Sequence, residues 1–224
     1  MNVACVIQAR LGSTRLPGKV LYPIGGRSVI EWVVRRCEES PAVDATYVAV
    51  GDEPENDALT ELCRRRDIQS VRGPEHNLLA RHKMVADLTE CDALCRVTGD
   101  CPFVPTAEVT RTIEEHVNAS ADHTTNKGDE MPIGTAVHVL RPSVLDILSA
   151  RGHRHPVKPI REHPGEWDVC RTTNETWTQF SEAHTAVDTP EDYWSLVDAV
   201  RAVGTDPFAV TEWMSEHTTP PPGK

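Results

Sequence analysis

Short apolar runs alternate with amphipathic stretches along roughly the first 120 residues of the chain. The apolar runs predict buried strands at residues 3–7, 45–50, 68–71 and 93–97. Apolar side chains recur at helical spacing between them, which predicts helices after a Ser28 cap and at residues 56–66, 78–88 and 106–117. This order predicts an α/β fold, a three-layer sandwich with a mostly parallel central sheet.

The pattern becomes less regular after about residue 120. Strands are predicted at residues 123–126, 135–140 and 183–187, and helices at residues 143–150 and 190–203. Residues 152–177 are rich in Pro, His and Arg and lack a clear period, which suits an active-site segment and a plain surface loop equally. We expect one domain over residues 1–217 and a disordered tail at residues 218–224.

Composition narrows the class of protein. No run approaches the roughly 18 to 20 apolar residues of a membrane helix, and the N-terminus lacks the basic segment of a signal peptide, so we expect a cytoplasmic protein that does not bind membranes. The 7 cysteines form no CxxC pair and read as reduced, mostly buried thiols. A net charge of −11 argues against a nucleic-acid partner. An anionic substrate must therefore be captured by a local cluster of cations.

Such a cluster lies directly after the first predicted strand. The loop combines cations, glycines and hydroxyls: Arg10, Gly12, Ser13, Thr14, Arg15, Gly18 and Lys19. The first strand-to-helix loop of an open parallel sheet is the usual phosphate site, and glycine lets the backbone approach phosphate oxygens. The loop matches neither the dinucleotide fingerprint nor the P-loop. A solvated basic turn is the alternative interpretation.

Two carboxylates are predicted at the same edge of the sheet as this loop. Asp100 follows the strand at residues 93–97, and Asp188 follows the strand at residues 183–187. Two carboxylates that leave coordination sites for water and phosphate suit Mg²⁺. The alternatives are a turn-forming Asp100 and an Asp188 that caps the helix beginning at Pro190.

Four segments give the chain a recognisable family resemblance. They are the loop at residues 8–21 (Gln-Ala-Arg-Leu-Gly-Ser-Thr-Arg-Leu-Pro-Gly-Lys-Val-Leu), residues 96–102 (Arg-Val-Thr-Gly-Asp-Cys-Pro), residues 161–163 (Arg-Glu-His) and residues 186–192 (Ala-Val-Asp-Thr-Pro-Glu-Asp). In this order they closely resemble the spore-coat polysaccharide branch of the sugar-activating cytidylyltransferases. They are more distantly similar to the CMP-KDO and acylneuraminate synthetases.

The resemblance implies a Rossmann-like nucleotide-diphospho-sugar transferase (GT-A-like) fold and a nucleotidyltransferase that uses CTP, Mg²⁺ and a sugar-type acceptor in surface-polysaccharide biosynthesis. It implies nucleotide binding by residues 1–120, acceptor binding by residues 121–185, C-terminal helices in residues 186–217 and a possible homodimer. The implied nucleotide contacts are Gln8, Ala9, Arg10, Leu11, Gly12, Ser13, Arg15, Lys19, Arg72, Gly73, Arg81 and Thr98, with Arg10, Arg15 and Lys19 catalytic. Asp100 and Asp188 would bind the metal, and the acceptor contacts would be Asn126, Gly134, Glu162 and His163.

Three of these assignments have alternatives in which the residue contacts no ligand. Arg72 equally suits a solvated strand end, and Arg81 equally suits an exposed helix face. His163 equally suits a hydrogen-bonded structural role.

The chain also departs from its relatives at two places. Thr98 stands where the sugar-acid synthetases have Gln, which points away from KDO activation. Residues 132–138 lack both acids of the Pro-x-Gly-x-Asp-x-Glu pattern of the related branch, which indicates a different acceptor. Two further hypotheses stay open: an enzyme that uses another nucleotide or a non-sugar acceptor, and a catalytically silent nucleotide-binding subunit.

Overall fold

The computed structural model describes residues 1–128 and 130–217, so the predicted tail at residues 218–224 lies outside the described residues. Its centre is a sheet of seven strands in the order β5-β4-β1-β6-β8-β7-β9. These strands are β1 (Val3–Ala9), β4 (Ala45–Gly51), β5 (Ser70–Gly73), β6 (Ala93–Thr98), β7 (His123–Thr125), β8 (His138–Leu140) and β9 (Val169–Arg171). Only β8 runs antiparallel to its neighbours, as the prediction of a mostly parallel sheet requires.

Helices cover both faces of this sheet. They are α1 (Val29–Glu38), α2 (Asp57–Arg65), α3 (Leu78–Thr89), α4 (Thr106–Ala119), α5 (Pro142–Ala150), α6 (Lys158–Glu162), α7 (Glu175–Thr178), α8 (Pro190–Val203) and α9 (Pro207–His217). A short hairpin of β2 (Pro23–Ile24) and β3 (Arg27–Ser28) precedes α1. Ser28 caps α1 as predicted, and a capping box with Glu31 fixes its start.

Alternation along β1 explains the three layers. Cys5 and Ile7 pack with α1, α2 and α4, whereas Ala4 and Val6 pack with α3, α5 and α6. Successive side chains of a strand point to opposite faces, so a strand that is apolar on both faces must be covered on both. The predicted three-layer α/β sandwich is confirmed.

One predicted strand is wrong. Residues 183–187 make a single parallel bridge, between Ile133 and His184, and no ladder. The amide of Ile133 donates to Ala183 O at 3.0 Å, and the amide of Thr185 donates to Ile133 O at 2.7 Å. The next amide, of Val187, donates instead to Asp100 O at 2.8 Å, so this apolar segment is buried without joining the sheet.

The strand predicted at residues 135–140 is shorter than expected. Pairing begins only at His138, because side chains bind the preceding backbone. Asn126 Oδ1 accepts from the amide of Val137 at 2.8 Å, and the Thr135 hydroxyl donates to Pro132 O at 2.8 Å. Polar side chains that bind the backbone in this way compete with a sheet ladder.

The cysteines behave as predicted, since all seven are free and only Cys170 is more than slightly exposed. Within the described residues, no helix has both the length and the apolar character that crossing a bilayer requires.

Several histidines are buried as neutral side chains. Burial lowers the pKa of His82 and of His123 to about 3, and that of His116 and of His155 to about 4. The free energy of protonating each of these histidines therefore differs between the folded and the unfolded chain. In the unfolded chain the histidine pKa is about 6.5.

These lowered values predict acid sensitivity. Between about pH 6.5 and 4.5 the unfolded chain binds more protons than the folded chain, so the free energy of unfolding should fall as the pH falls, by up to about 1.4 kcal/mol per pH unit for each buried histidine. Urea denaturation at pH 8, 7, 6 and 5 measures this slope. A constant free energy of unfolding from pH 7 to pH 5 would contradict the prediction.

Candidate active site

A cleft of about 600 Å³ opens at the carboxyl ends of β1 and β6. It is lined by Gln8, Ala9, Arg10, Ser13, Thr14, Arg15, Lys19, Val20, Glu75, His76, Leu78, Arg81, Thr98, Asp100, Arg154, His155 and Asp188. Ligands of open α/β sheets bind at this edge. The lining contains five Arg or Lys side chains and three carboxylates, so the cleft is locally cationic although the chain carries a net charge of −11.

The loop after β1 is held by backbone bonds and by one buried side chain. The amides of Ser13 and Gly18 donate to Leu11 O at 2.8 and 2.9 Å. The amide of Leu11 donates to Oδ1 of the buried Asn56 at 2.8 Å. Gly18 has a φ of 71°, a conformation that favours glycine, and the chain then enters a helical turn at Lys19. The loop is therefore a built structure, which argues against the solvated-turn alternative.

Lys19 joins the two predicted metal ligands. Its Nζ donates to Asp100 Oδ2 at 2.6 Å and to Asp188 Oδ1 at 2.9 Å, and the side chain is only 10% exposed. Arg15 Nη2 adds a bond to Asp188 Oδ1 at 2.8 Å from the more exposed side of the cleft. The structure thus brings together residues 15, 19, 100 and 188, as the sequence prediction requires.

The charges of this cluster stabilise one another. Burial disfavours the charged form of Lys19, but the carboxylates of Asp100 and Asp188 outweigh burial and raise the pKa of Lys19. Burial also disfavours the carboxylate of Asp188, yet Lys19 and Arg15 hold its pKa below the ordinary value. Lys19 and Asp188 are therefore both charged at neutral pH.

Asp100 and Asp188 are positioned by short backbone contacts. The amide of Gly99 donates to Gln8 O at 2.9 Å, and a Cβ at Gly99 would lie 2.8 Å from that oxygen, so β6 ends tightly against β1. The amide of Val187 donates to Asp100 O at 2.8 Å, which ties the two aspartates to each other.

A capping box then fixes the start of α8 beside Asp188. Thr189 and Asp192 cap each other's amides, and Asp192 Oδ2 also accepts from the amide of Asp188 at 3.1 Å. The cap of this helix is therefore Thr189 and not Asp188, the residue of the capping alternative, so the Asp188 side chain is available to the cleft.

Glu75 organises the opposite wall of the cleft, and sequence reasoning missed it. Its carboxylate accepts from Asn56 at 2.9 Å and from Arg10 at 3.4 Å, while Arg81 Nη1 donates to Pro74 O at 3.0 Å and to Glu75 O at 2.9 Å. Arg81 is 4% exposed, which excludes the exposed-helix interpretation of this residue. A single glutamate in a turn gives no sequence signal for such a role.

Arg154 and His155 are also lining residues that sequence reasoning missed, although the irregular segment 152–177 suited an active-site segment as well as a plain surface loop. Nδ1 of His155 accepts from the amides of Val157 and Lys158 at 3.1 and 2.9 Å. Burial, and then the charges of Arg96 and Arg161, lower the pKa of His155 to about 4. The imidazole is therefore neutral at pH 7 and carries its proton on Nε2.

Four predicted nucleotide contacts are not among the residues that line this cleft: Leu11, Gly12, Arg72 and Gly73. Arg72 pairs with Asp57 at 2.7 Å and donates to the carbonyls of Asp52 and Glu53. Gly73 is buried where a Cβ would meet Met84 Sδ at 2.6 Å. Their contact with a nucleotide stays a prediction.

The four predicted acceptor contacts do not line the cleft either. Asn126 is 1% exposed, and its amide is used by Glu108, Thr135 and Val137. Glu162 and His163 are exposed around the end of α6, and Glu162 pairs with Lys158 at 3.7 Å.

Gly134, the fourth of them, sits at a close approach of two chain segments. Its φ is 103°, and a Cβ there would lie 2.5 Å from Thr185 Oγ1 and 2.8 Å from the amide of Ala186. This contact holds the segment that leads to Asp188. Acceptor binding by these four residues stays a prediction.

The carboxylate oxygens of Asp100 and Asp188 are the kind of ligand that a divalent cation such as Mg²⁺ takes. Asp100 and Asp188 direct oxygens at one cation, the Lys19 ammonium, so the pair fits a shared hard cation whose other ligands come from phosphate and water. In residues 1–128 and 130–217 no group of three or more His, Cys, Asp or Glu side chains could hold a metal by itself.

The sheet topology and the position of the cleft are those of an α/β protein that binds its ligand at the carboxyl edge of a mostly parallel sheet. Residues 4–201 match the family described as Cytidylyltransferase, and the chain therefore belongs to this family of nucleotidyltransferases. The chain is 29% identical over 216 residues to the spore coat polysaccharide biosynthesis protein SpsF of Bacillus subtilis (strain 168), covering 92% of this chain and 89% of that one.

Solved structures agree with the fold. A cytidylyltransferase from Leptospira borgpetersenii serovar Hardjo-bovis (strain JB197) superposes with a TM-score of 0.88 at 23% identity, covering 98% of this chain and 99% of that one. CMP:2-keto-3-deoxy-manno-octonic acid synthetase complexed with CTP superposes with a TM-score of 0.70 at 18% identity, covering 90% of this chain and 99% of that one. The predicted nucleotide-diphospho-sugar transferase fold and family are confirmed.

The close contact at Gly134 predicts a steric effect on the site. Gly134→Ala should displace residues 185–188 and lower the free energy of unfolding by roughly 2 to 4 kcal/mol, together with any activity that needs Asp188. Gly152→Ala is the matched control, because Gly152 also has a positive φ, of 76°, but a Cβ there meets nothing within 4 Å. Denaturant titration and turnover measure both effects. Equal losses of stability in the two variants would contradict the steric explanation.

Proposed function

We propose that this chain is a CTP-dependent cytidylyltransferase that activates a sugar-type acceptor for surface-polysaccharide biosynthesis. In this reaction an acceptor oxygen bonds to the α-phosphorus of CTP, and the bond from that phosphorus to the β-phosphate oxygen breaks. Pyrophosphate leaves with the bonding electrons, and a hydroxyl acceptor loses its proton to solvent. The products are pyrophosphate and a CMP-sugar, or a CDP-sugar if the acceptor is a sugar phosphate.

One observation carries the proposal: Lys19 bridges Asp100 and Asp188 at 2.6 and 2.9 Å in a cationic cleft. Phosphoryl and nucleotidyl transfer depend on positioning and on neutralising charge, and they need little covalent chemistry from the protein. Buried cations beside paired carboxylates supply both requirements. The names of the two relatives, SpsF and a synthetase complexed with CTP, support the choice of CTP and of a polysaccharide-related acceptor.

Each charged side chain has a role in this proposal. Arg10 and Arg15, whose side chains are 53% and 62% exposed, can swing toward the triphosphate at little cost. Lys19 is already held beside the reacting centre by its aspartate partners, so its ammonium stabilises the charge that develops on pyrophosphate. Asp100 and Asp188 would hold Mg²⁺, which supplies further neutralisation of phosphate charge when bound.

The division of the chain follows the same logic. Residues 1–120 contribute most of the cleft and would bind the nucleotide, whereas Arg154 and His155 bring part of residues 121–185 to its wall, where the acceptor would bind. The single domain over residues 1–217, the homodimer and the cytoplasmic location stay predictions.

A pyrophosphate-release assay tests the function. The purified chain, with Mg²⁺ and each of the four nucleoside triphosphates, is offered a panel of sugar acids, sugar phosphates and simple alcohols. Release with CTP and a sugar-type acceptor is the expected result. Release with another triphosphate or a non-sugar alcohol would replace the proposed substrates, and triphosphate binding without release for any acceptor would favour the silent nucleotide-binding subunit.

The role of Lys19 leads to a specific prediction. Lys19→Ala should lower turnover by about 100-fold or more, because it removes a cation that neutralises charge in the transition state. Lys83→Ala is the matched control, since Lys83 pairs with two aspartates, Asp87 and Asp146, but lies outside the cleft. Steady-state kinetics of both variants provide the measurement, and near wild-type turnover of Lys19→Ala would refute the role.

A further inference from the structure

Arg96 is a buried cation whose partner is a neutral side chain. It lies on β6, is 7% exposed, and donates from Nε and Nη2 to one atom, Gln8 Oε1, at 3.1 and 2.9 Å. Burial lowers the pKa of Arg96 to about 10, so the guanidinium is still charged at pH 7. No carboxylate in residues 1–128 and 130–217 forms an ion pair with it. A buried charge without such a partner is costly for folding, which calls for a functional reason.

The chemistry of Arg96 fixes the orientation of the Gln8 amide. A guanidinium has only donors, so the carbonyl oxygen of Gln8 must face it and the NH₂ group must face away. Gln8 lines the cleft, and its Nε2 has no protein partner among the described residues. The two N–H bonds of that group are therefore available to a molecule in the cleft.

Gln8 lies close to the charged cluster in the sheet. Gln8 pairs with Thr98 in the register of β1 and β6. Gln8 stands two residues before Arg10, and Thr98 stands two residues before Asp100. Its side chain shares a face of β1 with Ala4 and Val6, the face covered by α3, α5 and α6. The neutral His155 lines the same cleft, and its Nε2 is a hydrogen-bond donor as well.

We propose that Gln8 is a specificity-determining residue that donates a hydrogen bond to an acceptor atom of a substrate, and that Arg96 is the positioning residue that locks its amide for this purpose. The recognised atom is an oxygen or an unprotonated ring nitrogen, on CTP or on the sugar-type acceptor. The inference rests on the proposed function for the identity of these substrates. The link between Arg96 and Gln8 can be tested without them.

Gln8→Glu separates binding from folding. Glutamate has the same shape and forms an ion pair with Arg96, so the melting temperature should rise by about 2–4 °C. The variant replaces the N–H donors by an oxygen, so the binding of the recognised substrate should weaken by about 10-fold or more. Gln69→Glu, at an exposed glutamine outside the cleft, is the matched control for the added charge.

Two measurements distinguish the substrates. Calorimetric titration with CTP and Mg²⁺ reports recognition of the nucleotide, and the acceptor KM at saturating CTP reports recognition of the acceptor. A loss of about 10-fold in either quantity, with kcat less affected, supports the proposal. Unchanged CTP affinity together with unchanged acceptor KM in a folded Gln8→Glu variant would overturn it.

A double-mutant cycle tests the role of Arg96. If Arg96 acts on binding only through Gln8, Arg96→Met should weaken binding in the wild type but have no further effect in a Gln8→Ala background. Arg96→Lys, which keeps the charge but loses the fork, should weaken binding to an intermediate extent. An Arg96→Met effect on binding that persists in the Gln8→Ala background would overturn the positioning role.

Failure of the proposed function would give a different signature. A wild-type chain that binds and turns over none of the triphosphates refutes the cytidylyltransferase proposal. Thermal unfolding still measures the contact between Gln8 and Arg96. In that case the stabilisation of Gln8→Glu should disappear in an Arg96→Met background, whereas a stabilisation that remains would show that Arg96 does not hold the Gln8 side chain. If Arg96→Met does not fold, Arg96→Lys replaces it in this comparison, with a reduced gain expected.

Discussion

The ammonium of Lys19 lies between the carboxylates of Asp100 and Asp188, and the rest of the site is arranged around this contact. It joins the end of the first loop, the end of β6 and the entrance to α8, segments that are far apart in the sequence. Because Lys19 is mostly buried, its charge depends on both partners, and removing one partner would leave an uncompensated charge. The capping box of α8 and the tight packing of β6 against β1 hold those partners in place.

The same contact shows how an acidic protein can bind an anionic substrate. The surface field of a chain with a net charge of −11 repels a triphosphate, but in the cleft Arg and Lys outnumber the carboxylates. At an ionic strength of about 0.1 M the distant charges are screened over about 10 Å, so the local group dominates once a ligand has entered. The cluster of cations after β1 is therefore what reconciles the composition with membership of the cytidylyltransferase family.

The cleft is lined both by charged side chains and by neutral donors that protein bonds hold in place. Lys19 and Arg15 bind carboxylates that a substrate and a cation can replace, whereas Gln8 and His155 are held by protein bonds that leave an N–H available. The charged side chains suit a phosphate chain, and the neutral donors suit a polar, uncharged part of a substrate.

Local sequence determined much of this protein. Apolar runs and helical spacing predicted most elements up to residue 120, because the strands bury both faces and each helix buries one apolar face. The cations after β1 and Asp100 at the end of β6 were predictable, since parallel strands end at one edge.

The long-range contacts were not predictable from these patterns. The predicted strand at residues 183–187 fails because Val187 bonds to Asp100 instead of joining the ladder. The resemblance implied acceptor binding by Asn126, but its side-chain amide binds Glu108 and the backbone of Val137. Glu75 and Arg96 gain their roles from partners distant in the chain, since Glu75 binds Asn56 and Arg10, and Arg96 binds Gln8. The tertiary structure decided which polar side chains face the cleft, because burial and hydrogen bonds between remote segments, unlike periodicity, leave no regular trace in the sequence.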